Sequence, residues 1–205
     1  LIHRMTRTQH PFGRLKKLYA GAVIYADRRQ WFRRSFKRAY IRLLKGMPAS
    51  ALNEVCRRLA AKILPQDRRA LRTLKNNGLD MMVLSCGTAD LSERILNFAE
   101  LGDCFCLIAG NRFEMADGRI AGMQLRLADP QDKLKLATRL NLSPLQTIVV
   151  GDGYTDLPLL KWSATPVMMD PTGRKKKQFA SHNFYFITAV REIMTIVHTI
   201  AGQRE

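Results

Sequence analysis

TIVVGDGYTDLPLL spans Thr147–Leu160. Its first four residues are β-branched or apolar and read as a buried parallel strand. Gly151 ends the strand. Asp152 and Asp156 follow, four apart, on a turn into a helix anchored by Leu157, Leu159 and Leu160. Pro158 is tolerated there because the first turn of a helix has amides without partners. Two carboxylates therefore stand at the carboxyl end of a strand, where open α/β sheets bind ligands. A pair of acids suits a hard cation such as Mg²⁺, which takes oxygen ligands and keeps substrate phosphate in its shell. The alternative is that the two aspartates only cap the turn.

Upstream, the chain alternates strand and helix patterns. LDMMVLSC (79–86) reads as a buried strand, and Asp90-Leu91-Ser92-Glu93 as a capping box opening a helix through Leu101. CFCLIAG (104–110) is a second strand. MADGRIAGMQLRL (115–127) reads as a hairpin turning at Asp117-Gly118. Asp129-Pro130 starts a helix, cap then proline, running to Leu140. TPVMMD (165–170), NFYFI (183–187) and a helix over Ala189–Ile200 complete the series. Such alternation predicts a parallel α/β sheet. Ser85, at the end of its strand and followed by Cys86-Gly87-Thr88, offers hydroxyl and backbone N–H donors to a phosphate oxygen. Thr88 is the fallback, and a plain turn is the alternative reading. GRKKK (173–177) reads as a solvated turn, with a phosphate-binding patch as the other option.

GDGYTDLPLL resembles the fourth motif of the haloacid dehalogenase-like phosphatases, and within them the phosphoserine-phosphatase-like branch with a helical cap. VLSCGT (83–88) and Lys133 fall in the expected order before it. The resemblance implies a Rossmannoid parallel sheet with helices on both faces and a small helical cap. It implies that Ser85 and Gly87 hold the phosphoryl group and that Lys133 steadies it. Asp152 and Asp156 would bind Mg²⁺, with Asp156 also orienting Lys133. Lys135 competes with Lys133 but points elsewhere, since positions two apart share no helix face. Gly153 would let the backbone approach the site closely. The reaction implied is phosphomonoester hydrolysis through an aspartyl-phosphate.

The family's first motif, an aspartate pair DxDx(T/V) after an apolar strand, occurs nowhere in these 205 residues. Asp27, in AVIYADRRQ, has Arg29 two residues on and falls in helical spacing. Residues 1–63 read as the cap and 64–205 as an α/β core lacking its first strand. The expectation is that the nucleophile's strand lies upstream of Leu1, and that residues 1–205 alone are inactive.

Charge divides the chain in the same place. The net charge is +17, and residues 1–75 carry 20 Lys/Arg against three acids, so the remainder balances. Arg14–Lys45 is amphipathic in spacing, with Phe32 and Phe36 among its apolar positions. Such a cap suits a small phosphorylated substrate or an anionic membrane surface carrying a lipid phosphate. A non-catalytic module gripping nucleic acid or anionic lipid is the competing class; with the phosphatase motifs present, no nucleic-acid partner is expected. No apolar run approaches the ~20 residues of a membrane span. Four cysteines without C-x-x-C spacing argue against zinc and suit a cytoplasmic chain.

Overall fold

The computed structural model describes residues 40–202. Asp27 and most of the basic stretch lie outside them. Residues 40–44 are helical, followed by α1 (Ala49–Ala60) and α2 (Pro65–Asn76). Then come β1 (Met81–Thr88), α3 (Ala89–Phe98), β2 (Phe105–Ala116), β3 (Arg119–Gln124) and α4 (Pro130–Arg139). The chain continues through β4 (Ile148–Gly151), α5 (Leu157–Trp162), β5 (Thr165–Met169), α6 (Arg174–Gln178), β6 (Tyr185–Ile187) and α7 (Ile193–Gly202).

The strands form two three-stranded sheets, β1-β2-β3 and β4-β5-β6. All pairs are parallel except the β2–β3 hairpin. Strand β2 is longer than its sequence suggests. Its first half pairs with β1, and its second half continues into the hairpin. The hairpin turns at Asp117 and Gly118, both at positive φ (49° and 69°), as a two-residue turn matching strand twist requires.

Strand β5 shows why the helices divide between two faces. Successive strand side chains point to opposite sides. Met168 packs with Ala137 of α4 and Leu159 and Leu160 of α5. Its neighbour Val167 packs with Leu74 of α2 and Ile193 and Ile196 of α7. Both faces of this parallel sheet are covered, which its apolar strands demand. The hairpin anchors the segment before α1. Gly46 N–H donates to Ile120 O (2.8 Å), and Ile120 N–H returns a bond to Met47 O (2.9 Å). Leu44 and Leu52 pack against Phe113 and Ile120.

Two local readings change. Thr88 is the N-cap of α3 and makes no side-chain cap bond, so Asp90 and Glu93 form no capping box. Asp90 Oδ2 accepts the Phe113 N–H (2.8 Å), and Glu93 pairs with Arg112 (Oε2 at 3.1 Å). Both acids serve the neighbouring strand because the hairpin brings donors to them. Val150, expected to be buried, is 42% exposed while Val149 is 6% exposed. Val150 lines a cleft between the sheets; among the described residues no ladder joins β1 to β4.

Candidate active site

Helix α4 starts on a reciprocal cap. Asp129 Oδ1 accepts the Gln131 N–H (3.0 Å), and Asp132 Oδ2 accepts the Asp129 N–H (2.9 Å). Pro130 fills the first helical position. That N–H from Asp129, aided by Lys135, holds the Asp132 carboxyl below the usual carboxylate range. The fixed start aims Lys133 inward, and only 5% of the residue remains exposed. Its Nζ is ion-paired with Asp156 Oδ1. Lys135 lies on the outside, 3.3 Å from Asp132 Oδ1. Geometry therefore separates the two lysines that sequence left in competition.

Asp156 is held from two sides. Its second oxygen, Oδ2, accepts the Asp152 N–H at 2.9 Å. Gly151 makes this closure fit: a Cβ there would lie 2.5 Å from Asp156 Cβ. A Cβ at Gly153 would meet nothing within 4 Å, so within the chain the tight approach belongs to Gly151. The exposed Asp152 carboxylate accepts no side-chain or backbone donor among the described residues. One aspartate thus organises the turn and the other is uncommitted.

Ser85 sits in a break of β1. Leu84 pairs with Ala109 and Thr88 with Asn111, so four steps on β1 face two on β2. The extra residues bulge from the ladder. Within the bulge, Gly87 N–H donates to Ser85 Oγ at 3.0 Å. The hydroxyl of Thr88, 5% exposed, has no hydrogen-bond partner among the described residues. A cleft of ≈ 730 Å³ is lined by Met82 and Leu84 of β1, Val149 and Val150 of β4, and Lys133 and Asp156.

Three further residues brace the site. The basic run 173–177 is not simply solvated. Lys175 Nζ donates to Met169 O at 2.9 Å and also to Asp152 O, tying the ends of β4 and β5 together. Gln178 bonds the Tyr154 hydroxyl. Burial alone would raise the Asp170 carboxyl, but N–H groups of Lys176, Lys175 and Thr172 outweigh it and hold it low. Asp-Pro-Thr-Gly (170–173) after an apolar strand is a signal that could have marked this turn; nothing in the sequence distinguishes Lys175 from its basic neighbours.

With the strand-end aspartates, the lysine and the serine bulge placed, the comparisons with known proteins are decisive for the family. A family model described as haloacid dehalogenase-like hydrolase matches residues 1–161, and a second one so described matches 133–193. The chain belongs to the haloacid dehalogenase-like hydrolases. The chain is 31% identical over 121 residues to a phosphoserine phosphatase of Archaeoglobus fulgidus, covering 57% of this chain and 33% of the relative. It is 28% identical over 150 residues to one of a Polaromonas species, covering 69% and 61%. The chain thus spans a third to three fifths of these relatives. A solved probable phosphoserine phosphatase of Vibrio cholerae shares the fold, with a TM-score of 0.74, 19% identity, and coverage of 100% of this chain and 61% of that one. No helix among the described residues is long and apolar enough to cross a membrane.

Proposed function

We propose that this haloacid dehalogenase-like chain carries most of the active site of a Mg²⁺-dependent phosphomonoester hydrolase. The proposed substrate is a small phosphorylated metabolite such as phosphoserine, the substrate named for its relatives. The observation that carries the reading is the buried Lys133–Asp156 pair beside an uncommitted Asp152. A structural ion pair needs no free carboxylate next to it; a phosphate site with a cation does.

In this reading Ser85 Oγ–H donates to a phosphoryl oxygen, and the Gly87 N–H, bonded to Ser85 Oγ, orients that hydroxyl. Lys133 offsets the charge of the phosphoryl group, and Asp156 keeps its ammonium in place. The donor set fits Mg²⁺, which is held by one or two carboxylates and retains water and phosphate. Asp152 would hold the ion, with Asp156 behind it; among the described residues no cluster of three or more His, Cys, Asp or Glu competes. Bound there, Mg²⁺ would lessen the repulsion between carboxylate and phosphate. The nucleophilic aspartate would come from a strand entering the cleft between β1 and β4. Its carboxylate would take the phosphoryl group as the ester P–O bond breaks and the protonated alcohol leaves, and water would then release phosphate and restore the carboxylate. The basic N-terminal stretch would draw in anionic substrate by its charge.

The test is phosphate release from phosphoserine and from an aryl phosphate by the full-length protein, with Mg²⁺ and with chelator. Metal-dependent release is expected. Release that survives chelation, or none at all, would remove the proposal.

A further inference from the structure

Asn111 is 1% exposed, and a buried carboxamide must find partners for all its polar atoms. It finds four. Nδ2 donates to Cys86 O (2.8 Å) and to Leu127 O (3.3 Å). Oδ1 accepts the N–H groups of Arg126 (2.9 Å) and Leu127 (3.0 Å). One side chain thus grips two segments distant in sequence. Cys86 is the middle of the bulge that carries Ser85. Residues 126–127 lead directly into Asp129, the cap of the helix that carries Lys133.

The residue before it works at the same junction. A Cβ on Gly110 would lie 2.9 Å from Ala89 N and 3.1 Å from Ser85 O. Strand β2 therefore reaches the base of the bulge only because position 110 lacks a side chain. Glycine permits the approach, and the asparagine then locks it.

We propose that Asn111 is a positioning residue of the active site: its carboxamide fixes the Ser85 bulge relative to the start of the Lys133 helix. The inference rests on the phosphatase reading above. An aliphatic side chain would fill the space but could not hold Cys86 O and residues 126–127 together. Small displacements of a phosphate-binding group cost about 10²-fold in rate.

The test uses the full-length protein and an aryl phosphate. Asn111→Asp keeps the shape but turns the donor toward Cys86 O into an acceptor. A folded variant is expected to lose 10- to 100-fold in kcat, with KM within threefold. In a Ser85→Ala background the same change is expected to cost less than twofold, because residues acting through one another are not additive. Gly110→Ala pushes on the bulge from the other side and is expected to give the same pattern. A folded Asn111→Asp with kcat within twofold of the unaltered protein, or an undiminished loss without Ser85, overturns the proposal. If Asn111→Asp does not fold, Gly110→Ala decides by the same criteria; if neither folds, the role is structural and the proposal fails. An unaltered protein without turnover would instead remove the phosphatase reading itself.

Discussion

Lys133 and Asp156 stand 23 positions apart and are ion-paired, with side chains only 6% and 13% exposed. Removing one partner of a buried pair leaves an uncompensated charge, at a cost of about 3–5 kcal/mol. Asp156→Asn should lower stability on that scale, because Lys133 has no other acidic partner among the described residues. Lys133→Met should be milder in stability, since Asp156 keeps the Asp152 N–H. Its turnover should fall by about 10²–10³-fold. Urea unfolding and phosphate release measure the two effects, and an Asp156→Asn protein as stable as the unaltered one would refute the pairing.

Asp152 presents the opposite case. Its exposed carboxylate holds nothing together, so Asp152→Asn should leave the unfolding midpoint nearly unchanged. The amide keeps the shape and loses the charge a hard cation needs. Titration calorimetry should show Mg²⁺ binding lost, and aryl phosphate hydrolysis should fall to background. Tight Mg²⁺ binding in Asp152→Asn would remove it from the metal site.

Acid should loosen the fold through three carboxylates. Hydrogen bonds from backbone N–H groups hold Asp132 and Asp170 low, and the Thr188 hydroxyl and N–H do the same for Glu192. A depressed folded pKa adds stability above the unfolded value, about 4, and that stability is lost as pH falls through the folded pKa. Melting temperature should therefore be flat from pH 7 to about 5 and drop below about 4. Asp132→Asn should be less stable at neutral pH and show a shallower acid slope. An unchanged slope would mean that the cap of α4 does not drive the loss.

The alternation of strands and helices, the Asp129-Pro130 helix start and the Asp117-Gly118 turn were legible in sequence because each rests on local chemistry. Periodicity, caps and φ preferences act within a few residues. Asn111, Lys175 and the destinations of Asp90 and Glu93 were not legible, because they depend on which backbone groups arrive from elsewhere. A capping-box pattern states what Asp90 and Glu93 can do near a helix end. It says nothing of Phe113 N–H and Arg112, which the long β2 strand delivers and which win. The same limit hid Gly151: a GD dipeptide reads as a strand end, and only the folded turn shows Asp156 Cβ where a side chain would be.

The cleft between β1 and β4 leads to the last prediction. Two strands with apolar residues, Leu84 and Val150 among them, line it without a ladder joining them among the described residues. Unpaired apolar edges are sites of aggregation. We propose that a strand preceding residue 1 completes the sheet there and brings the nucleophilic carboxylate beside Lys133. Residues 1–205 expressed alone should then release no phosphate with Mg²⁺. Stability is a margin of about 5–15 kcal/mol for a whole domain, so loss of a central strand should leave the fragment partly molten. Hydrophobic dye binding and a broad thermal transition are the expected signs. Extending the same protein upstream should restore both a cooperative transition and turnover. Sharp unfolding with metal-dependent phosphate release from residues 1–205 alone would place the nucleophile within this sequence and overturn the strand assignment.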